Sequence, residues 1–304
     1  MNYFDYINSI RFELSRKCPN STLHKDICPN YLGKSDEILS SEIVFKVVNE
    51  LRQSDNKHAE IGFHNYNEPT IDPRLVWFVT MIRLGIENPI AIWSNGYYLD
   101  YEIIMDLISQ GANRFNITAY NEEDYNKFSE LKKKIPFPAD IMFNVVKANF
   151  DARLGVYEQE IINLNKPCFA PLCQLLINYK GEVSLCSYDW KYTVIFGNLY
   201  KENLADIFPR MKEAFDNLKT GKRIYDICQR CKRSKTGTGL AIPEVAMQHL
   251  NKIANKEKLY IKIPMEEYEQ QIKKVSVSGE GMGRELSSEI RNDKPDTENN
   301  TPTG

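Results

Sequence analysis

Between residues 10 and 146 short apolar runs alternate five times with longer amphipathic stretches, and this alternation restricts the fold more than any other feature. Ile10, Phe12 and Leu14 alternate with polar residues, as in a half-buried strand. A helix is expected over 41–54, with Ile43, Val44, Val47, Val48 and Leu51 on one face and Ser41 as N-cap. Ile61 and Phe63 mark a second strand. The helix after it, over 73–84, meets Gly85 as a C-cap. A third strand over 90–93 is stopped by the turn pair Asn95-Gly96, and a helix over 101–110 is closed by Gly111. Strands over 115–119 and 140–146 flank a helix over 122–133. Such an order implies an α/β fold: a parallel sheet with right-handed crossovers, as an open sheet or a partial (βα) barrel of about five to six units.

The pattern changes after Pro167. Runs over 174–179 and 182–187 read as a β-hairpin turning at Lys180-Gly181, followed by a helix over 204–218 and the pair Cys228-x2-Cys231. Helical stretches are expected over 243–254 and, more weakly patterned, 265–274. From 275 onward the chain is rich in Ser, Gly, Glu, Asn and Thr and nearly free of aliphatic residues, so disorder is expected. The expected divisions are 1–165, 166–240, 241–274 and 275–304, with no internal repeat beyond the βα period.

Charge and composition exclude several partners. A content of 42% hydrophobic and 26% charged residues is that of a globular chain. The longest apolar runs fall far short of the ~20 residues that cross a bilayer. No basic-then-apolar leader opens the chain, so a cytoplasmic protein is expected. The net charge is −2, and the tail alone carries three basic and six acidic residues, so neither nucleic acid nor a membrane surface is an expected partner.

Seven cysteines without an export signal point to metal or cluster ligation rather than disulfides: Cys18, Cys28, Cys168, Cys173, Cys186, Cys228 and Cys231. In parallel α/β sheets chemistry gathers at the C-terminal ends of the strands. Just beyond the first strand stand Cys18, His24 and Cys28. After the second comes His64-Asn65-Tyr66-Asn67-Glu68-Pro69, and after the third Ser94-Asn95-Gly96. Tyr120 and Asn121 follow the fourth.

A cysteine loop after the first strand, a Glu-Pro after the second and an Asn-Gly after the third resemble the radical S-adenosylmethionine enzymes. Cys168, twelve residues, Gly181, four residues, Cys186 and then the distant Cys228-x2-Cys231 resemble the SPASM/twitch auxiliary-cluster module. Ile195-Phe196-Gly197-Asn198-Leu199 and Asp206-Ile207-Phe208 are similar to that module's linking segment. The resemblance covers roughly residues 10–235. It implies two 4Fe-4S clusters, one binding S-adenosylmethionine and one auxiliary on Cys168, Cys186, Cys228 and Cys231, with structural zinc as the rival occupant of four thiols. It also implies Glu68 and Asn67 toward the methionine amino group and Ser94 or Asn95 toward the ribose.

The chain departs from the family in two places. The usual C-x3-C-x2-C is absent: nine residues separate Cys18 from Cys28, and Tyr31 stands where a third cysteine would follow. His24, between the two cysteines, is the best third ligand by chemistry, since imidazole replaces thiolate on iron in some clusters. Tyr31 and Cys173 are the alternatives. Two glycines that usually precede the Glu are here Tyr66 and Asn67.

The implied reaction begins when a donor such as a flavodoxin or ferredoxin reduces the first cluster. S-Adenosylmethionine is then cleaved to methionine and a 5′-deoxyadenosyl radical, which abstracts hydrogen from substrate. Net oxidation is the expected outcome, because an auxiliary cluster accepts an electron. Members with this module oxidise alcohols on sugar-like compounds or modify peptides. With nine residues before Ile10, no N-terminal peptide-binding domain is expected, which leans toward a small alcohol or sugar-like substrate while a peptide substrate stays open. The competing expectation is a non-catalytic relative, stabilised by metal, that binds a partner. No catalytic base is legible.

Overall fold

The structure, a computed structural model, describes residues 4, 7–19, 28–32, 35–135, 140–148, 156–157, 159–161, 168 and 170–231. Every described residue belongs to one compact unit of the chain. The helices expected at 243–254 and 265–274, the tail and His24 lie outside the described residues.

Five strands follow one another across the sheet in parallel: β1 (Ser9–Phe12), β2 (Glu60–Gly62), β3 (Ile90–Ser94), β4 (Arg114–Ala119) and β5 (Met142–Lys147). The connecting helices are α1 (Ser41–Arg52), α2 (Leu75–Gly85), α3 (Tyr101–Ser109) and α4 (Glu122–Lys134). A short α5 (Ala170–Cys173) then leads into β6 (Gln174–Ile177), which pairs in parallel with the free side of β1. β7 (Glu182–Ser184) and β8 (Ile195–Asn198) continue the sheet antiparallel, giving the order β5-β4-β3-β2-β1-β6-β7-β8. Six parallel strands make the expected partial-barrel fold of five to six βα units. The expected hairpin is present as β6 and β7, but it extends the main sheet. α6 (Leu204–Leu218) and α7 (Asp226–Arg230) complete the described chain.

One face of the sheet carries the helices. Phe12, Phe63 and Phe78 form a stack with centroids 6.3 and 5.7 Å apart, and all three are fully buried. Each such ring contributes about 1.5–3 kcal/mol by leaving water. The other face bears Ser9 and Arg11 on β1, Glu60 on β2, Trp93 on β3, Arg114 and Asn116 on β4 and Asn144 on β5, all half-buried or exposed.

Two expected caps are corrected. Ser40, not Ser41, is the N-cap of α1, because its extended backbone lets its hydroxyl accept from Glu42 N–H. Gly85 does not terminate α2 in the left-handed region: the helix includes it and ends at an extended Ile86. Gly111 does take that role after α3, at φ +105°.

Candidate active site

The loops after β1, β2 and β3 meet at Glu68. This carboxylate is 2% exposed, and four donors fix it. Its Oε1 accepts from Thr70 N–H at 3.1 Å, Thr70 Oγ1 at 2.7 Å and Ser94 Oγ at 2.7 Å, while Oε2 accepts from Asn95 N–H at 2.8 Å. Glu68 thereby caps the 3-10 turn Pro69–Ile71 and bridges to the end of β3. Burial pushes its pKa above the ordinary carboxylate value, and the hydrogen bonds oppose that shift. Gly96 makes the β3 turn possible. It sits at φ +80°, its N–H reaches Ser94 Oγ at 2.9 Å, and a Cβ there would stand 2.3 Å from the Phe128 ring.

Cys18 joins the group from the first loop: Asn95 Nδ2 lies 3.5 Å from its sulfur, and Glu68 N–H bonds the Lys17 carbonyl at 2.9 Å. A cavity of about 550 Å³, within the ~300–1,000 Å³ of small-molecule sites, opens here beside Lys17, Cys18, Asn30, Asp36, Ile71 and Tyr98. Of the expected residues, Glu68, Ser94, Asn95 and Cys18 are thus together. Asn67 is turned to its own loop, donating to Phe63 O at 2.9 Å and accepting from Asn65 N–H at 3.1 Å. Cys28 is half-buried just before the 3-10 turn Pro29–Leu32. Tyr31 falls within that turn, and its side chain is outside the described residues. Cys173 closes α5, with its carbonyl bonded to Asn8 N–H at 2.8 Å ahead of β1. It therefore stands at the opposite end of β1 from Cys18.

A second polar centre lies behind the first loop. Glu13 and Arg16, 0% and 4% exposed, form an ion pair at 3.3 Å. The rings of Tyr66, Tyr192 and Tyr179 surround the guanidinium at 5.3, 5.6 and 6.0 Å. Glu13 also accepts from Tyr66 N–H and from the Tyr192 hydroxyl. Burial raises its pKa despite these donors. Tyr192 has φ +54°, in the left-handed region, in the segment between β7 and β8.

The four late cysteines share one neighbourhood. Cys168 N–H bonds Leu218 O at the end of α6, Cys186 follows β7, Cys228 lies in α7 and Cys231 caps it. The Cys186 thiol is pushed up to about 12 by burial, with the thiols of Cys231 and Cys168 adding to the shift. Burial likewise raises Cys228 well above its ordinary value, and Cys186, Cys168 and Cys231 all add to it. Among the described residues no three His, Cys, Asp or Glu side chains gather tightly enough to hold a single metal ion. Four thiols in mutual electrostatic reach are a donor set of the kind that iron-sulfur clusters take. The spacing through Gly181 has a local cause: at φ +71° it turns the hairpin, and a Cβ would meet the Tyr200 ring at 2.6 Å. Asp189, fully buried, organises the following loop by accepting from Thr193 N–H at 2.9 Å and Val194 N–H at 2.8 Å.

Residues 168–232 match the SPASM family, described as an iron-sulfur cluster-binding domain. With this match, a partial-barrel fold and a cysteine loop at its rim, the chain is similar to radical S-adenosylmethionine proteins that carry an auxiliary-cluster module. The chain is 25% identical over 236 residues to the S-adenosyl-L-methionine-dependent 2-deoxy-scyllo-inosamine dehydrogenase of Niallia circulans, covering 73% of this chain and 91% of that one. The crystal structure of BtrN in complex with AdoMet and 2-DOIA shares the fold, with a TM-score of 0.61 and 22% identity over 74% of this chain and 93% of that one. The structure of hexahistidine-tagged anSMEcpe with bound AdoMet shares it more distantly, with a TM-score of 0.50 and 12% identity over 82% and 99%. Among the described residues no helix is long and apolar enough to cross a membrane.

Sequence reasoning missed Glu13, Arg16, Asp189 and Trp93. Charged residues after strands read as surface, and Trp93 sits in an apolar run that reads as buried throughout.

Proposed function

We propose that this chain is a radical S-adenosylmethionine dehydrogenase that oxidises an alcohol of a small molecule and carries one auxiliary 4Fe-4S cluster. The observation that carries this reading is the convergence of Cys18, Glu68, Ser94 and Asn95 on one rim beside a cavity of small-molecule size. The Niallia circulans relative, which acts on an aminocyclitol, supports it. Cys18 and Cys28 would hold the first cluster with His24 or Tyr31, since Cys173 lies at the far end of β1. Cys168, Cys186, Cys228 and Cys231 would hold the second. When bound, these groups supply a hydrogen-abstracting carbon radical at the first site and an electron acceptor at the second.

The chain's own residues bind and orient. Glu68 Oε2 accepts from Asn95 N–H and, with a further lone pair, retains capacity for an ammonium group. Ser94 and Asn95 hold that carboxylate in place. The reading further takes residues 1–165 as the catalytic portion, 166–240 as the cluster module, a cytoplasmic location, and a flavodoxin- or ferredoxin-type donor.

Anaerobic reconstitution followed by iron counting, strong reduction and addition of S-adenosylmethionine tests the reading. Two clusters and release of 5′-deoxyadenosine are expected, with release abolished in Cys18→Ala and in Cys28→Ala. His24→Ala and Tyr31→Phe then discriminate between the third-ligand candidates by loss of the first cluster. A reconstituted protein with one cluster and no cleavage is instead the non-catalytic relative.

A further inference from the structure

The polar face of the sheet holds an aromatic platform beside the rim. Register places Arg11, Gly62, Ala91 and Arg114 in one row across β1 to β4, and Trp93 beside Asn116 in a row nearer the strand ends. Small residues in the first row leave room for rings to lie on the sheet. The His64 imidazole fills the space over Gly62, where a Cβ would come within 2.9 Å of it, and stacks on Trp93 at 5.1 Å and 26°. Trp93 is nonetheless 36% exposed, in the middle of an otherwise buried strand.

Planar polar groups frame this indole. Its Nε1 donates to Glu60 Oε1 at 3.2 Å, and the other Glu60 oxygen accepts from Arg114 at 2.8 Å. The Arg11 guanidinium lies 5.9 Å from the indole centroid, and Asn116 accepts from Asn144 at 3.1 Å. These side chains are held in position before any ligand arrives.

We propose that this platform seats the reacting substrate, and that the substrate is a small polyhydroxylated ring, a sugar or cyclitol. The inference rests on the radical dehydrogenase reading and names the substrate class and its seat. The 36% of Trp93 left exposed beside His64 and Arg11 offers apolar surface to the C–H face of a saturated ring. Guanidinium, carboxylate and carboxamide groups in fixed planes match the in-plane donors and acceptors of vicinal hydroxyls. Location supports the assignment: Trp93 lies on β3 and Asn95 directly follows the strand's last residue, two residues on and roughly 6–7 Å away at strand spacing, so a ring on the indole lies next to the Glu68–Asn95 rim.

Anaerobic titration calorimetry of the reconstituted protein tests this, with 2-deoxy-scyllo-inosamine and myo-inositol as ring probes and a serine-containing peptide as the competing class. Saturable binding of a ring probe is expected, weakened about tenfold or more by Trp93→Ala and severalfold by Asn116→Ala. Trp77→Phe, on the helical face, should leave the affinity unchanged. Should Trp93→Ala fold poorly, Asn116→Ala and ring-induced quenching lost in Trp93→Phe but kept in Trp77→Phe carry the same test. Equal ring affinity in the wild type and both platform variants overturns the proposal, and so does binding of the peptide alone. Release of 5′-deoxyadenosine without substrate is read separately. Release without ring binding sinks the seat and spares the enzyme; ring binding without release does the reverse.

Discussion

Replacing Glu13 by Ala should be among the most damaging single changes in the described chain. The carboxylate is 0% exposed and its partner Arg16 is 4% exposed, so removal takes from a buried guanidinium the carboxylate it pairs with. Breaking such a pair from one side costs about 3–5 kcal/mol. The three tyrosine rings around Arg16 offset part of this, and the loss of an acceptor for Tyr66 N–H and the Tyr192 hydroxyl adds to it. At about 2–4 °C per kcal/mol for a unit of this size, the melting temperature should fall by roughly 6–20 °C. Urea denaturation of Glu13→Ala, Arg16→Met and the double variant, all at one pH, forms a double-mutant cycle. The double variant should recover part of the loss, because the buried guanidinium is removed as well, with a coupling of about 0.5–3 kcal/mol. A loss below about 1 kcal/mol for Glu13→Ala, or a coupling of zero, refutes the view that this pair holds the first loop to the neighbouring elements.

Glu68→Gln should weaken S-adenosylmethionine binding about tenfold or more in equilibrium dialysis, because a charge-assisted contact of about 1.5–3 kcal/mol is lost. Burial raises the Glu68 pKa, so wild-type affinity should fall as pH drops through a value above the ordinary carboxylate range, while the Gln variant shows no such step. Gly96→Ala should destabilise the chain by about 2–4 kcal/mol in denaturant titration, from positive φ and a clash with Phe128. The pair Cys228→Ala and Cys231→Ala should remove one cluster's iron on reconstitution and lower the melting temperature, since ligand binding is coupled to folding; unchanged iron rejects that ligand set.

The parallel core was legible because strand and helix periods differ and each βα unit is local. Pairing of β6 with β1 was not, since it joins residues 9–12 to residues 174–177 and depends on long-range register. Ser40 and Ser41 offer the same capping hydroxyl one residue apart, which is why the cap was displaced by one. The meeting of Glu68, Ser94 and Asn95 was legible because Glu68 lies in the loop after β2, Ser94 ends β3 and Asn95 follows it. The purpose of Asn67 was not, because its amide is consumed by backbone groups of its own loop. Arg11, Glu60 and Arg114 fall at alternate positions with buried apolar residues, a pattern that reads equally well as a solvated face.

The departure from the family at Tyr66-Asn67 acquires a physical meaning in the folded chain. Two glycines would leave the segment before Glu68 loose, but neither residue here takes positive φ, so no backbone strain demands glycine. Tyr66 instead works through three groups. Its N–H reaches Glu13, its ring lies against Arg16, and its hydroxyl donates to the carbonyl of Ser187, the residue after Cys186. Asn65 adds a 3.0 Å bond to the Tyr192 hydroxyl. The loop that carries Glu68 is therefore fastened both to the first cysteine loop and to the loop of a late cysteine. A side chain large enough to span that gap is what glycine lacks, and the substitution exchanges backbone freedom for a fixed relation between the two cysteine-bearing loops.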